Sequence, residues 1–196
     1  MKITEDGFVN RNKKIILIAV AIMLVSALAG AGIAYLNANG KYNTISDALS
    51  SQPVKNDTDD MKISAVDLFI HNFTADLFTV IGGVFFSIIS VILVIFNGIS
   101  IGILFGIDFP YAMVSILPHG VIEYFAGALA LAIAFKITLL EIKIIKNRNI
   151  KNTLKEHNTD LRDMMTILIV MIVLLGIAAI IEAHITPMIV TGYFGL

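Results

Sequence analysis

The chain has no cysteine and no tryptophan among its 196 residues. Without cysteine there are no disulfides and no thiolate chemistry, and the redox compartment is left open. Without tryptophan, anchoring at a membrane interface falls to Tyr, Phe, Lys and Arg. Charge is scarce as well: 15% of residues are charged, against about 25% in a typical soluble domain. The formal net charge is -1, so bulk charge gives no reason to expect a nucleic-acid partner. There is no nucleotide-binding motif, no HExxH and no serine or aspartate protease constellation. Nothing in the sequence calls for a cofactor or a bound metal.

What fills the chain is oil. Hydrophobic residues make up 57% and the mean hydropathy is +0.87. The charges avoid several long segments, as membrane spans require. The expected fold class is all-α: a polytopic transmembrane helix bundle of about five spans, one of them short or re-entrant. The membrane is then the first partner, with membrane or cell-envelope proteins and a second copy of the chain as further ones.

In order, a polar segment 1–14 carries Lys2, Arg11, Lys13 and Lys14. Residues 15–36 hold no charge and are long enough to cross the hydrocarbon core. Ala27-Leu28-Ala29 resembles a signal-peptide cleavage site, but the apolar run continues to Leu36, which favours a retained first span. Residues 37–62 read as an external polar loop, with an Asn56-Asp57-Thr58 sequon. Residues 63–190 then read as a membrane bundle, and 191–196 as an external tail.

Within the bundle, Ile63 to Ile107 is too long for one crossing: as one helix it would run ~65 Å. Gly82-Gly83 is the natural hinge. Asp108-Phe109-Pro110-Tyr111 is a turn signal. Leu117 to Leu140 forms another span, opened by Pro118 in its first turn. Glu141 to Asp163 is the main polar loop, and Met164 to Ala183 the last span. Cations on 1–14 and on 141–163 place both in the cytoplasm. An odd number of crossings must separate Asn37 from Lys143, so the 63–107 tract is expected to cross twice. This gives five spans, the amino terminus cytoplasmic and the carboxy terminus external.

The residues that carry chemistry are few. His119 and Glu123 are four apart and share a helix face. Glu182 and His184 end the last span, and Asp108 ends the third. In the five-span topology all five groups sit near the outer interface. They can pair structurally, bind a divalent metal, hold a headgroup or peptide, or relay protons. Structural pairing is the favoured reading. Gly98, Gly102 and Gly106 form a small-residue stripe, matched by Ala126, Ala130 and Ala134 on the next span. The two stripes are expected to pack on each other, with a homodimer face as the alternative. Asn97 reads as an interhelical hydrogen-bonding amide. The cationic 141–163 segment is either a docking helix or a plain cytoplasmic loop.

Taken together, Asn97-Gly98 with Gly102, Leu117-Pro118-His119-Gly120 with Glu123, and Ile181-Glu182-Ala183 followed by Thr186-Pro187 resemble the stage II sporulation protein M family. The resemblance covers Ser64 to Val190. His184 departs from it, standing where the family more often has an aromatic residue. The resemblance implies a small multi-spanning membrane protein without established catalytic residues. In spore formers such a protein anchors peptidoglycan-degrading partners during engulfment, a role tied to the presence of peptidoglycan. The implied function is a non-enzymatic scaffold or assembly partner in the cell membrane. The alternatives are a transporter or permease component and an intramembrane metal-dependent hydrolase.

Because the chain lacks cysteine, single cysteine probes report topology without background. Labelling from outside intact cells is expected at Asn56, Phe109 and Tyr193, with protection at Gly83 and Asn152. Protection at Phe109 would place the Pro118-His119 end inside and overturn the five-span order.

Overall fold

The computed structural model describes residues 7–38 and 64–194. Most of the loop read over 37–62, with its sequon, lies outside the described residues, as do the first six residues and the last two. Among the described residues the chain is helical throughout. The elements are α1 (Phe8–Ala38), α2 (Ala65–Ile81), α3 (Ile88–Ile107), α4 (Phe109–Ser115), α5 (Leu117–Asn147), α6 (Ile150–Glu156), α7 (Asn158–Ile180) and α8 (Thr186–Phe194). Four stretches are long and apolar enough to cross a membrane: Phe8–Asn37, Ala65–Phe85, Ile88–Ile107 and Asn158–Tyr193.

Helix α5 is equally long but forms the inside of the bundle. Its residues from Ala126 to Ala134 are all buried. The local sequence, Ala-Gly-Ala-Leu-Ala-Leu-Ala-Ile-Ala, is apolar on every face, as a helix enclosed by others must be. Alanine also lets neighbouring backbones come close, which is how helices gain packing energy where lipid replaces water. On one side Ala128, Leu131 and Ala132 meet Ala19 and Met23 of α1. On another, Ala126, Leu129, Ala130 and Ile133 meet Met164, Ile167, Met171 and Leu175 of α7.

The glycine stripe does pack inside the chain, but on a different partner from the one expected. Gly98, Gly102 and Gly106 lie against Ser26, Ala27, Ala31 and Ala34 of α1, not against the alanines of α5. Residue numbers rise together along the pair, so α1 and α3 are parallel. Gly30 of α1 returns the contact at Ile99. A Cβ on Gly102 would run into the carbonyl of Ala27. Of the stripe alanines of α5, Ala126 and Ala130 pack with α7 instead, and Ala134 lies against Gly83.

The 63–107 tract breaks where expected, by another device. Gly82 to Phe85 tighten into a 3₁₀ turn, and the chain reverses at Phe86 and Ser87, both left-handed with φ of 52° and 57°. Gly82 itself has φ of -57°. The glycines are there for space: Gly82 abuts Ser90, and Gly83 abuts Ala134 of α5. Ser90 donates to the Thr79 carbonyl at 2.6 Å, and Thr138 of α5 donates to the Gly83 carbonyl at 3.0 Å. The reversal is thereby tied to the centre of the bundle.

Two segments are more helical than their polarity implied. Asp108 does not open a simple turn; its side chain accepts from the Tyr111 backbone N–H and caps α4. The polar segment 141–163 is mostly helix: α5 runs on to Asn147, Asn149 caps α6, and α7 begins at Asn158. The last span does not stop at Ala183 either. A π turn over Ile181–Ile185 leads into α8. A proline removes a backbone donor and crowds the preceding turn, and the wider π turn just before Pro187 lets the helix continue through it.

At the end of the bundle where α1 starts and α5 finishes, an ionic network joins three helices. Arg11 grips Asp163 with both Nε and Nη2, at 3.0 and 2.8 Å. Asn12, fully buried, also donates to Asp163, at 2.8 Å. Lys136 donates to Asn12 Oδ1 at 2.7 Å and to Asp160 at 3.2 Å. Lys143 reaches the other Asp160 oxygen at 3.3 Å. Each charge in this network has an opposite partner with good geometry, the condition under which such a network is tolerated.

The close contact at Gly102 gives a paired test. Gly102→Ala is expected to destabilise the bundle by about 1–3 kcal/mol, because backbone rather than a movable side chain meets the new methyl. Gly32→Ala, with no neighbouring atom within 4 Å, is expected to be neutral or stabilising by up to ~1 kcal/mol. Unfolding in detergent micelles measures both; equal behaviour would show that the α1–α3 contact is not tight.

Candidate polar site between α2, α5 and α7

The other end of the bundle holds a second polar cluster. Pro118 sits in the first turn of α5, where a missing N–H costs nothing. His119 follows, and Glu123 stands one turn later on the same face. Glu182 arrives from the π turn after α7. One ligand-type atom from each of His119, Glu123 and Glu182 lies within 4.8 Å of the others. His119 Nε2 is 3.8 Å from Glu182 Oε1.

Neighbouring residues hold these groups in place. His119 Nδ1 lies 3.1 Å from the Thr186 hydroxyl. Asn72 of α2 donates its side-chain amide to Glu123. Tyr124, beside Glu123, donates its hydroxyl to the Met23 carbonyl of α1. Groups on α1, α2, the π turn and α8 therefore hold the first turns of α5 in place.

A cavity of about 820 Å³ opens beside the cluster, between α2 and α3, with α5 as its floor. Its polar lining comes from His71, Asn72, Asp76, Asn97, Glu123 and Tyr124. Asp76 is unusual among them: its Oδ2 is buried and has no hydrogen-bond partner among the described residues. The cavity ends at Gly82 and Phe85, where α2 and α3 are joined.

Of the residues singled out in the sequence, the structure brings His119, Glu123, Glu182 and Thr186 together. His184 stays apart: it is exposed, and its Nδ1 lies 3.1 Å from the Ile180 carbonyl. Asp108 is an exposed helix cap and not part of the cluster. Asn97 makes no side-chain hydrogen bond to another described residue and faces the cavity instead. Gly120 packs against Ile116, and Pro187 follows the π turn. Sequence reasoning missed Asn72, Asp76 and Tyr124 as members of the site. The signal for two of them was present: Asn72 and Asp76 repeat the four-residue spacing of His119 and Glu123 on a helix otherwise rich in apolar residues.

Residues 17–187 match the stage II sporulation protein M family. The chain belongs to this family. The match starts inside α1, so the first span is part of the family unit, which is wider than the Ser64 to Val190 carried by the motifs. Over 116 residues the chain is 32% identical to an uncharacterized protein of Methanocaldococcus jannaschii, covering 56% of this chain and 64% of that one. The chain thus spans less than two thirds of that relative. No solved structure matches the chain.

An unpartnered buried carboxylate oxygen is a stability cost of about 1–3 kcal/mol. Asp76→Leu is therefore expected to leave the unfolding midpoint unchanged or raise it. Asp163→Leu, which removes the carboxylate shared by Arg11, Asn12 and Lys136, is expected to lower stability by about 3–5 kcal/mol. A clear loss of stability in Asp76→Leu would mean that Asp76 has a structural partner after all.

Proposed function

We propose that this family member is a non-enzymatic scaffold of the cell membrane, with five spans, a cytoplasmic amino terminus and an external carboxy terminus. The crossings are α1, the α2–α3 hairpin, α5 and α7 with its continuation. Lys13 and Lys14 of α1, Lys143 and Lys146 of α5, and Arg148 at the carboxyl cap of α5 stand at one end of the bundle, which supports that end as cytoplasmic. The observation that carries the scaffold reading is the closely packed apolar segment at the centre of α5. Between Glu123 and Lys136 runs the buried Ala126–Ala134 segment of α5, packed by α1 and α7, and the two polar clusters stay at opposite ends. A bundle tied at both ends suits holding partners better than alternating access. Its outer faces are covered with large apolar side chains such as Leu28, Phe78, Phe96 and Val173, which face lipid or other membrane proteins.

A permease component is the second reading, favoured by the polar-lined cavity between α2 and α3. Chromosomally tagged protein, cross-linked in its native cells and purified in mild detergent, separates the two. The scaffold reading expects a membrane or cell-envelope protein recovered in fixed ratio, retained in Glu123→Gln. Recovery of the chain alone, together with solute flux in liposomes that Glu123→Gln abolishes, would overturn it.

A further inference from the structure

The two ends of the bundle differ in charge balance. At the Arg11 end, Asp160 and Asp163 face Arg11, Lys136 and Lys143. At the other end stand three carboxyl groups, Asp76, Glu123 and Glu182. Among the described residues, the only basic groups that line the cavity or join the cluster are the histidines His71 and His119. Carboxylates held away from water without a cation are costly, and within a membrane such groups are rare and mark functional sites, bound cations among them.

We propose that His119, Glu123 and Glu182 form a binding site for a divalent transition-metal ion of the zinc or manganese kind. The geometry is close to what such an ion needs. A tetrahedral ion with ligand bonds of about 2.0–2.1 Å wants its ligand atoms about 3.4 Å apart. Those of the three residues lie within 4.8 Å of one another, and His119 Nε2 is 3.8 Å from Glu182 Oε1. Small side-chain rotations close the rest.

The surrounding contacts are of the kind that metal ligands require. With the Nδ1 proton donated to Thr186, the His119 ring presents its Nε2 lone pair to the site. Asn72 holds one oxygen of Glu123 and leaves the other free to coordinate. The π turn sets the position of Glu182, and such turns recur at functional sites. The cavity beside Glu123 provides entry and room for a water ligand, and Asp76 adds a further carboxyl group along that route. An imidazole in the set favours a first-row transition ion over magnesium or calcium, which prefer oxygen alone. The site does not depend on the scaffold reading.

The test uses the full chain, purified in detergent with a tag free of histidine and stripped with a chelator. Zinc sulfate or manganese chloride is then titrated, with bound metal counted by mass spectrometry and unfolding followed by temperature. One bound ion per chain is expected, with a rise in Tm of roughly 5–10 °C at an ion concentration about 100 times Kd. Glu182→Gln, on a side chain 29% exposed and so tolerant of change, is expected to weaken binding at least tenfold. Glu123→Gln is expected to do the same, and His184→Ala to bind as the parent chain does. Folded parent protein that takes up neither ion at micromolar concentration would overturn the proposal. So would binding that survives both glutamine substitutions, which would place the ion elsewhere, for example on the acidic residues of 37–62.

Discussion

A polar side chain inside a bilayer must find its partner within the protein, because no water is there to supply one. That constraint sorts the whole molecule. Asp163 draws Arg11, Asn12 and Lys136 onto itself and so fixes α1, α5 and α7 at one end. At the other end Asn72, His119, Glu123, Glu182 and Thr186 bring α2, α5 and the continuation of α7 together. On α5, Glu123 and Lys136 are separated by ~20 Å of helix, and apart from the Tyr124 hydroxyl the residues between them are apolar. The distance between the two clusters is comparable to the thickness of oil they border.

The helices and the polar cluster were largely legible in the sequence because both follow from this constraint. Charge-free runs mark spans, and a histidine four residues from a glutamate marks a shared face. The choice of neighbours was less legible. Gly98, Gly102 and Gly106 announce a close contact but not with whom, since Ala27 and Ala31 are as small as Ala126 and Ala130. Only the three-dimensional arrangement decides between them. His184 was drawn into the candidate cluster because it is two residues from Glu182. The π turn at that point changes which side chains point inward, and helical spacing no longer applies. Polarity likewise hid the helices over 141–163, whose caps, Arg148 and Asn149, lie between two helical stretches.

The reversal between α2 and α3 shows how small residues serve two purposes that look alike in a sequence. Gly82 and Gly83 mark the break, yet the left-handed conformations belong to Phe86 and Ser87. Residues with side chains tolerate that region only when their surroundings hold them there. Here the Ser87 hydroxyl is 2.6 Å from Thr138 on α5. The glycines bring the backbone close enough to α5 for this bond to form. The break that lets α2 and α3 separate around a cavity is thus anchored at its base.

The parallel pairing of α1 with α3 has a consequence for biogenesis. Ala27, Ala31 and Ala34 are made before the glycines that cover them, which lie some 70 residues later in the chain. At a synthesis rate of ~5–20 residues per second, that leaves several seconds with this surface facing lipid or the insertion machinery alone. The first helix is therefore a guest in the bilayer before it is a member of a bundle. Its final place is settled by a segment the ribosome has yet to make.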